Sequence, residues 1–552
     1  MINQQLKLLW HKIYGHDHDA LLESFNTELQ RFKQDNPVST LPEEWYRDVV
    51  VYSLYVDLFN KDFEGLESKL DYLAALGVTC LWLLPILDSP MRDAGFDIRD
   101  FRKIRADLLP EEGQEEKFAA FVEKAHAKGI RIIFDIAINH TSEEHPWFIE
   151  SRKGEENPYR DYYIWNDDDQ KYNEARIIFQ GIETSNWKKD GDAFFFHRFF
   201  DFQPDLNYRN PNVLLEMARN LLFWLRLGVD GFRADAIPYL WKEEGTDCEN
   251  LETTHDIVKF FRGVLETIRP NTLLLAEACQ KPHEVVKYFG QGDECQAGYH
   301  FPLMPQLFKS IAMRSAEPVT NILHPANTPP LPDGAQWFTF LRCHDELSLE
   351  LVYVSEEDRA YIHNSYCRNP QWNFREGQGI SARLAELMER DHRKIGLAFS
   401  MMLTLPGTPV IYYGDEFGKL NDEAYYHEQI RLVGKDDTRF LVRGKIDWDG
   451  LKRELNYDNS LASKVLDRLT TMLEARNKRR CFGRGEIEWL HPEVEPASAR
   501  DAVLAFDRIL PGEQVRVVHN LSDQKVTLRI GDQPDVHLDP YGYQWIEIDN
   551  KD

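Results

Sequence analysis

Eight short apolar segments, each followed by a segment of helical character, recur between residues 49 and 413 of this 552-residue chain. In one helical segment, 115–128, the apolar side chains Phe118, Phe121, Val122 and Ala125 follow an i, i+3, i+4, i+7 stripe. Short segments that are apolar throughout predict strands buried on both faces, as in a parallel sheet. Eight strand–helix units therefore predict the α/β class and a closed (β/α)8 TIM barrel. The predicted strands are 49–59, 79–87, 130–138, 229–237, 272–278, 295–301, 337–343 and 409–413.

Three segments fall outside this repeat and predict additional units. Residues 1–47 are polar with apolar side chains at helical spacing, which predicts an N-terminal helical extension before a catalytic barrel of 48–455. Residues 141–207 are too long for a simple connection after the third strand, so we predict an inserted subdomain. Strand-like runs in 456–552 predict a C-terminal antiparallel β-sandwich domain. The sequence leaves open whether 1–47 covers the barrel or mediates self-association into an oligomer.

The composition argues against several classes of partner. A formal net charge of −27 disfavours nucleic acid, which binds to basic surfaces. No apolar run approaches the length of a membrane span, and residues 1–15 contain no apolar core of a signal peptide. The seven cysteines are scattered and lack the spacing of metal ligands. They predict free thiols and a cytoplasmic protein.

Acidic and histidine side chains follow four of the predicted strands. In a barrel of this kind, the residues at the carboxyl ends of the strands surround the active site. One acid at such a position is equally well explained by capping of the next helix, but four such strand ends are not. The cluster consists of Asp135, Asn139 and His140 on the third strand, Arg233 and Asp235 on the fourth, Glu277 on the fifth, and His344, Asp345 and Glu346 after the seventh.

Two of these acids fit the chemistry of a glycosidic bond. That chemistry needs a carboxylate beside the anomeric carbon and a carboxylic acid beside the leaving oxygen. Arg233 lies two residues before Asp235 and points to the same side of the strand, so its charge should keep Asp235 ionised. Glu277 has apolar sequence neighbours, and a dry environment suits a carboxyl group that must stay protonated to act as an acid.

Six segments carry a resemblance to a known family. They are DIAINH (135–140), QPDLN (203–207), GVDGFRADA (228–236), LLAEA (274–278), CHDE (343–346) and GTPVIYYGDE (407–416). With these segments in this order, the chain resembles the α-amylase family of glycoside hydrolases, family 13, over roughly residues 45–550. The resemblance implies a retaining enzyme with a covalent glycosyl-enzyme intermediate. In such enzymes the two reacting carboxyl groups lie about 5–5.5 Å apart.

The resemblance also implies roles for individual residues. It implies Asp235 as the nucleophile, Glu277 as the general acid/base and Asp345 as the residue that stabilises the transition state. It further implies that Arg233 orients the nucleophile. The residues implied to bind the sugar of the donor pocket are Phe96, Asp97, His140, Gln203 and His344, with Asp97 holding the non-reducing end. The family usually has Tyr where this chain has Phe96, so a ring is kept and a hydroxyl group is lost.

Within the family, the chain is most similar to trehalose synthases, which interconvert maltose and trehalose. The likeness is carried by segments 162–179, 238–246 and 292–305. Segment 420–448 instead resembles amylosucrases, which transfer glucose from sucrose. We therefore expect a transglucosylase acting on small α-glucosides, with a sucrose-acting enzyme or a hydrolase of the α-glucosidase or α-amylase type as alternatives. A non-catalytic carbohydrate-binding relative is disfavoured because all three catalytic acids are present.

The sequence argues against a required metal ion or other cofactor. Many members of the family bind Ca²⁺, and Asn139 and Asp205 match one of their sites. Lys242 stands where trehalose synthases have a glutamate ligand, and an ammonium group cannot ligate a cation. Residues 60–64, at a second family site, offer too few spaced oxygen atoms for Ca²⁺. We hypothesise that Lys242 itself bonds to Asn139 and Asp205.

A further hypothesis concerns the edge of the pocket. Glu346 follows the stabilising acid Asp345, and Arg439 lies in the amylosucrase-like segment. We expect an Arg439–Glu346 ion pair that closes the pocket floor and selects disaccharides over polymers.

Overall fold

A closed barrel of eight parallel strands forms the centre of the protein, in a computed structural model that describes residues 2–531 and 533–548. Each strand pairs with the next one along the chain, and the first pairs with the last, which confirms the predicted (β/α)8 barrel. We number the strands β1 to β8. They are β1 Val51–Leu54, β2 Cys80–Leu83, β3 Arg131–Ala137, β4 Gly231–Asp235, β5 Leu273–Ala276, β6 Ala297–Tyr299, β7 Gln336–Phe340 and β8 Thr408–Tyr412.

Every observed barrel strand overlaps its predicted segment, but most are shorter. The predicted strand 49–59 shows why, because its apolar run continues past β1 into the helix Val56–Asn60. That helix buries Val56, Leu58 and Phe59, so the sequence stays apolar after the strand has ended. Apolar periodicity over so few residues does not separate a buried strand from a buried helix.

Helices follow the strands and cover the barrel. The predicted helix 115–128 is confirmed as Gln114–Ala127, and its four predicted apolar side chains are buried. Among the described residues, no helix is both long enough and apolar enough to cross a membrane. The helices between β1 and the C-terminal domain are Val56–Asn60, Phe63–Glu67, Leu70–Leu76, Gln114–Ala127, Pro146–Ser151, Pro211–Arg226, Glu252–Ile268, Pro282–Val285, Leu303–Met313, Glu317–Ile322, Glu356–Tyr366, Leu384–Leu387, His392–Thr404, Glu423–Val433, Trp448–Glu454, Leu461–Asn477 and Cys481–Arg484.

The register of the sheet brings the predicted acids to one end of the barrel. Arg233 of β4 pairs with Asp135 of β3 on one side and with Leu275 of β5 on the other. Ala137 of β3 pairs with Asp235 of β4. Since all eight strands are parallel, the residues that follow β3, β4, β5 and β7 meet at the same rim.

Residues 141–207, which we call subdomain B, form a small unit on this rim. It contains the helix Pro146–Ser151 and a sheet of the strands Trp165–Asn166, Trp187–Asp190 and Ala193–Phe196. The backbone N–H of Leu206 donates to the carbonyl of Asn139 at 2.8 Å, and that of Thr141 donates to Pro204 at 3.2 Å. The chain therefore leaves the barrel after β3 and returns to the same place.

The N-terminal segment covers one helix of the barrel. It consists of α1 (Gln4–Tyr14) and α2 (Asp19–Asp35), and α1 packs along Glu252–Ile268. Trp10 is fully buried in this contact, and Lys12 donates to acidic side chains of the barrel helix at 2.6 and 3.1 Å. Of the two roles left open by the sequence, the structure shows the helical cap.

Two antiparallel sheets form the C-terminal domain and enclose a separate apolar layer. One contains Glu486–Trp489, Val503–Leu510, Glu513–Asn520 and Tyr543–Glu547, and the other contains Glu493–Glu495, Val526–Arg529 and Val536–Leu538. The predicted boundary at 455 lies too early, because helix Leu461–Asn477 packs against the barrel helices Leu70–Leu76 and His392–Thr404. Helix Leu461–Asn477 is the helix of the last strand–helix unit. The sequence pattern did not predict it because a long segment separates it from β8.

Replacing Trp10 by Ala should weaken the docking of α1 on the barrel. The Trp10 ring packs against Tyr14 and Phe260, and truncation of a buried Trp costs about 3–5 kcal/mol. Hydrogen exchange, measured by mass spectrometry, should therefore become faster in α1 and in helix Glu252–Ile268. The control Leu8→Ala removes a side chain that is 61% exposed on the same helix and should leave exchange unchanged. Equal exchange in the two variants would contradict a docking role for Trp10.

Candidate active site

Arg233 is the centre of a buried charge network at the end of β4. Its Nη1 donates to Asp235 Oδ1 at 2.8 Å and also to Asp135 Oδ1. Trp82 of β2 donates from Nε1 to the other oxygen of Asp135 at 2.7 Å. Burial raises the pKa of Asp135 to about 6, and the charge of Arg233 opposes this rise. The structure thus brings Arg233 into direct contact with Asp235, as its place two residues earlier on the strand predicts.

Glu277 follows β5 and lies beside Asp235. Its Oε2 accepts a hydrogen bond from the backbone N–H of Ala236 at 3.0 Å, and Cys279 Sγ donates to Oε1 at 3.2 Å. Burial raises the pKa of Asp235, Arg233 opposes the rise, and the charge of Glu277 adds to it. Because Arg233 donates to Asp235, it favours the negative charge on Asp235.

Asp345 follows β7 and is held by two arginines from the segment after β8. Its Oδ1 accepts hydrogen bonds from Arg443 at 2.9 Å and from Arg439 at 3.1 Å. His344 Nε2 lies 3.2 Å from its other oxygen. Burial favours a higher pKa for Asp345, but His344 and the two guanidinium groups hold this pKa well below its usual value. Asp345 therefore stays charged and can stabilise an oxocarbenium-like transition state in the same pocket.

Neutral imidazoles and an aromatic ring complete the inner pocket. Phe96 stacks on His344, with the ring centroids 5.7 Å apart and an angle of 25° between the planes. Burial lowers the pKa of His344 to about 3 and that of His140 to about 4, so both rings are neutral at pH 7. A neutral imidazole donates one hydrogen bond and accepts another, which suits the hydroxyl groups of a sugar. The Nδ1 atom of His344 is buried without a hydrogen-bond partner.

The predicted sugar contact of Asp97 is wrong. Its carboxylate is fully buried and accepts hydrogen bonds from Ser89 Oγ at 2.9 Å and from the backbone N–H groups of Arg92 and Asp93 at 3.0 and 3.1 Å. These bonds fix the loop that carries Phe96. Asp97 does not line the pocket, and its role in the structure is to hold this loop.

Asp93, four residues before Asp97, lines the pocket instead. Gln203, which was also predicted to bind the substrate, lies behind it and donates from Nε2 to Asp93 Oδ2 at 2.9 Å. Gln203 is fully buried and also lies 3.4 Å from His140 Nε2, so it acts through these two residues. The sequence contained one signal for Asp93, a second acid in the loop. Spacing within a loop does not say which acid turns inward.

The predicted ion pair between Arg439 and Glu346 is also wrong. Arg439 pairs with Asp437 at 2.6 Å and with Asp345 at 3.1 Å. Its positive charge therefore stabilises the charged form of Asp345 and not that of Glu346. Glu346 lies against Gly379, where a Cβ atom would come within 2.2 Å of Glu346 Cγ. Burial and the charge of Asp345 raise the pKa of Glu346 to about 7. Both Arg439 and Glu346 still line the pocket, but they do not pair.

The outer part of the pocket is built from segments inserted between the barrel elements. It is lined by Phe179 of subdomain B and by Glu350, Phe374 and Arg375 between β7 and β8, and we call this part the outer chamber. The Arg375 guanidinium lies 4.4 Å from the ring centroid of Phe179 and 4.7 Å from that of Phe374. Arg375 Nε is buried without a hydrogen-bond partner. The outer chamber therefore offers charged groups to the hydroxyl groups of a ligand.

A known protein family matches most of the chain. Residues 30–481 match the family described as Alpha amylase, catalytic domain, a range that includes β1 to β8 and subdomain B. The chain belongs to the α-amylase family. This confirms the resemblance inferred from the six sequence segments, and the matched range includes helix Leu461–Asn477.

Several relatives in the α-amylase family are trehalose synthases. "Trehalose synthase/amylase TreS" of Mycobacterium tuberculosis is 48% identical over 532 residues, which cover 89% of this chain and 84% of the relative. A trehalose synthase of Pimelobacter sp. is 39% identical, with 87% of each chain covered. That of Thermus thermophilus is 40% identical and covers 87% of this chain and 50% of the relative. The predicted likeness to trehalose synthases is confirmed.

Solved structures of other proteins share the fold of this chain. An α-amylase from H. orenii superposes with a TM-score of 0.70 at 24% identity, over 90% of this chain and 99% of the other. An isomaltulose synthase from Klebsiella sp. gives a TM-score of 0.68 at 22% identity, over 91% and 99%. At this identity the likeness shows the fold alone.

Asp93→Asn and Asp97→Asn should separate a sugar contact from a structural role. Asp93→Asn removes a charged acceptor from the pocket, and hydrogen bonds to charged groups contribute about 1.5–3 kcal/mol, so kcat/KM on a small α-glucoside should fall roughly 10- to 150-fold. Its Tm should change little. Asp97→Asn should mainly lower Tm, because an amide group would face the backbone donors of the loop. The reverse pattern in kinetics and calorimetry would restore Asp97 as the sugar contact.

Proposed function

We propose that this protein is a retaining transglucosylase that interconverts maltose and trehalose while holding the glucose released between the two steps. The observation that carries the proposal is the outer chamber, which adjoins the Asp235–Glu277 pair and is walled by inserted segments. A chamber with charged groups can hold a free sugar, whereas the catalytic acids alone serve any retaining enzyme. The likeness to trehalose synthases over 89% of the chain supports the same conclusion.

In the first step, Asp235 attacks C1 of the glucosyl unit while Glu277 gives its proton to the glycosidic oxygen. The bond between C1 and that oxygen breaks, glucose is released into the outer chamber, and an ester bond joins Asp235 to C1. Positive charge develops at C1 and at the ring oxygen. Asp345 stabilises this charge, and Arg439 and Arg443 keep Asp345 ionised and in place.

In the second step, the freed glucose turns and attacks C1 with a different hydroxyl group. Glu277, now a carboxylate, accepts the proton of that hydroxyl, and the ester bond to Asp235 breaks. Attack by the C1 hydroxyl gives trehalose, and attack by the C4 hydroxyl gives maltose. Between the steps, Glu350 and Arg375 can bond the hydroxyl groups of the glucose, and the ring of Phe179 limits the access of water.

Hydrolysis is the second candidate function. Its first step is identical, and water then replaces the freed glucose as the attacking group. The name of the Mycobacterium relative, "Trehalose synthase/amylase", supports this activity beside the first one. Transfer from sucrose is supported by the amylosucrase-like segment 420–448, which supplies Arg439 and Arg443.

The proposed partners are small α-glucosides, with neither nucleic acid nor a membrane. The formal net charge of −27 does not suit a polyanionic partner. We also propose a cytoplasmic location, because all seven cysteines are free in the structure.

Separate incubations with maltose, trehalose and sucrose test the proposed function. Maltose should give trehalose, and trehalose should give maltose, with glucose as the minor product in chromatography. Isotopically labelled glucose added to the solution should enter the products slowly, because the transferred glucose stays in the outer chamber. Release of fructose from sucrose at a higher rate than either isomerisation would favour the sucrose-acting alternative. Glucose as the main product from maltose would favour a hydrolase.

Asp235→Ala should abolish turnover without unfolding the protein. Loss of a catalytic nucleophile lowers kcat by a factor of about 10⁴ or more, and no neighbouring group can form the ester in its place. The control Asp192→Ala changes an exposed acid of subdomain B and should keep full activity. Circular dichroism should be unchanged in both variants. Residual activity of Asp235→Ala near that of the control would overturn the assignment of the nucleophile.

A further inference from the structure

Lys242 makes the contacts with Asn139 and Asp205 that the sequence suggested. Its Nζ lies 2.6 Å from Asp205 Oδ2 and donates to Asn139 Oδ1 at 2.8 Å. All three residues are buried, with Lys242 3% exposed and the other two 0%. Asn139 Nδ2 also donates to Asp205 Oδ2 at 3.0 Å, which closes a small polar network inside the protein. We call these three side chains the lysine strut.

We propose that the ammonium group of Lys242 takes the place of the Ca²⁺ ion that many α-amylase family members hold between barrel and subdomain B. The enzyme is then a metal-independent member whose active site is held together by an internal cation. This proposal does not depend on which sugar the enzyme transfers.

The residues at this position do not fit Ca²⁺. The ion takes six to eight oxygen ligands at about 2.3–2.6 Å. The ammonium nitrogen lies 2.6 Å from Asp205 Oδ2 and 2.8 Å from Asn139 Oδ1, so it already uses the two side-chain oxygens that the lysine strut would offer to the ion. A second positive charge beside it would be repelled. In the part of the chain that the structure describes, three His, Cys, Asp or Glu side chains come together as possible metal ligands at His11, His16, Asp19 and at Cys343, His344, Asp345, and neither cluster includes Asp205.

The loop at the other family site also fits Ca²⁺ poorly. In residues 60–64, the acid best placed to ligate is Asp62, and its Oδ1 accepts the backbone N–H of Gly65 at 2.7 Å. That bond caps the helix Phe63–Glu67. Asn60 donates to the carbonyl of Gly65 at 2.8 Å, so the loop is organised by its own hydrogen bonds.

The lysine strut joins three segments at the rim of the active site. Asn139 follows β3, Asp205 lies at the end of subdomain B, and Lys242 lies in the segment after β4. His140, the neighbour of Asn139, forms an isolated bridge with Asp205 and faces the donor pocket. The remaining oxygen of Asp205 accepts the backbone N–H of Arg198 at 2.8 Å. Lys242 is therefore a positioning residue, which acts through His140 and through the attachment of subdomain B.

The first test measures metal directly in the unmodified protein. After dialysis against EDTA, elemental analysis should find no Ca²⁺ above the buffer background, and Tm and kcat should equal those of the undialysed protein. Added Ca²⁺ should leave Tm unchanged. Stoichiometric Ca²⁺ whose removal lowers Tm and kcat would overturn the proposal. None of these readouts requires the natural substrate, because any α-glucoside that is turned over suffices for kcat.

The second test exchanges the internal cation for a ligand. Lys242→Glu removes the ammonium group and adds a carboxylate beside Asn139 and Asp205, so the variant should bind about one Ca²⁺ per chain in calorimetry. Its Tm and kcat should be low in EDTA and rise with millimolar Ca²⁺. The control Lys171→Glu makes the same charge change at an exposed position of subdomain B and should show no Ca²⁺ response. A Ca²⁺ response in both variants, or in neither, would contradict the proposal.

A third variant keeps the proposal testable if Lys242→Glu does not fold. Lys242→Met keeps the length of the side chain and leaves the charge of Asp205 without its partner. Loss of one member of a buried ion pair should lower Tm by roughly 5 °C. Because His140 and subdomain B lose their support, kcat should fall and the share of substrate lost to hydrolysis should rise, which a stability defect alone does not produce. Lys242→Met with the Tm, kcat and product ratio of the unmodified protein would overturn the role of the ammonium group.

Discussion

The guanidinium group of Arg233 is the charge on which the rest of the active site depends. It lies between Asp135 and Asp235 at the end of a barrel whose interior is largely apolar. Two carboxylates in that place repel each other and lose their hydration, and a buried charge without a partner costs several kcal/mol. Arg233 therefore stabilises both carboxylates, and Asp135 remains its partner when Asp235 is changed. Because Arg233 pairs in register with Asp135, the pairing of β3 with β4 also places the nucleophile Asp235.

Residues on the strands could be predicted from the sequence because local rules decide their direction. Arg233 and Asp235 share a face through the period of two, and the apolar runs around them predict the buried strands. The eight strands and the charged rim follow from the same rules, together with the parallel topology. The predicted ends of the strands were less accurate, because the sequence after β1 stays apolar through the helix Val56–Asn60.

Residues on long connections could not be placed in this way. Asp93 and Asp97 lie in one loop, and only the hydrogen bonds of Asp97 to Ser89 and to backbone N–H groups decide that Asp93 faces the pocket. Asp345 and Glu346 are adjacent to each other in the sequence, and the sequence does not say which of them pairs with Arg439. Arg439 donates to Asp345 at 3.1 Å, and its shortest hydrogen bond, at 2.6 Å, is to Asp437, two residues before it. A choice between such partners depends on three-dimensional packing and leaves no periodic signal.

The two ends of the pocket differ in what holds them. The donor end is held by residues on or beside barrel strands, so a change there disturbs the buried network of Arg233. The outer chamber is held by inserted segments, and among the described residues the side chains of Glu350 and Arg375 form no salt bridge. Substitutions in the outer chamber can therefore change the acceptor while the bond that breaks stays the same. The lysine strut lies between these two ends, because Lys242 ties subdomain B to the strand that carries Asn139. The ammonium group of Lys242 holds subdomain B to the barrel at any Ca²⁺ concentration. A bound Ca²⁺ ion in its place would make this attachment depend on the concentration of free Ca²⁺.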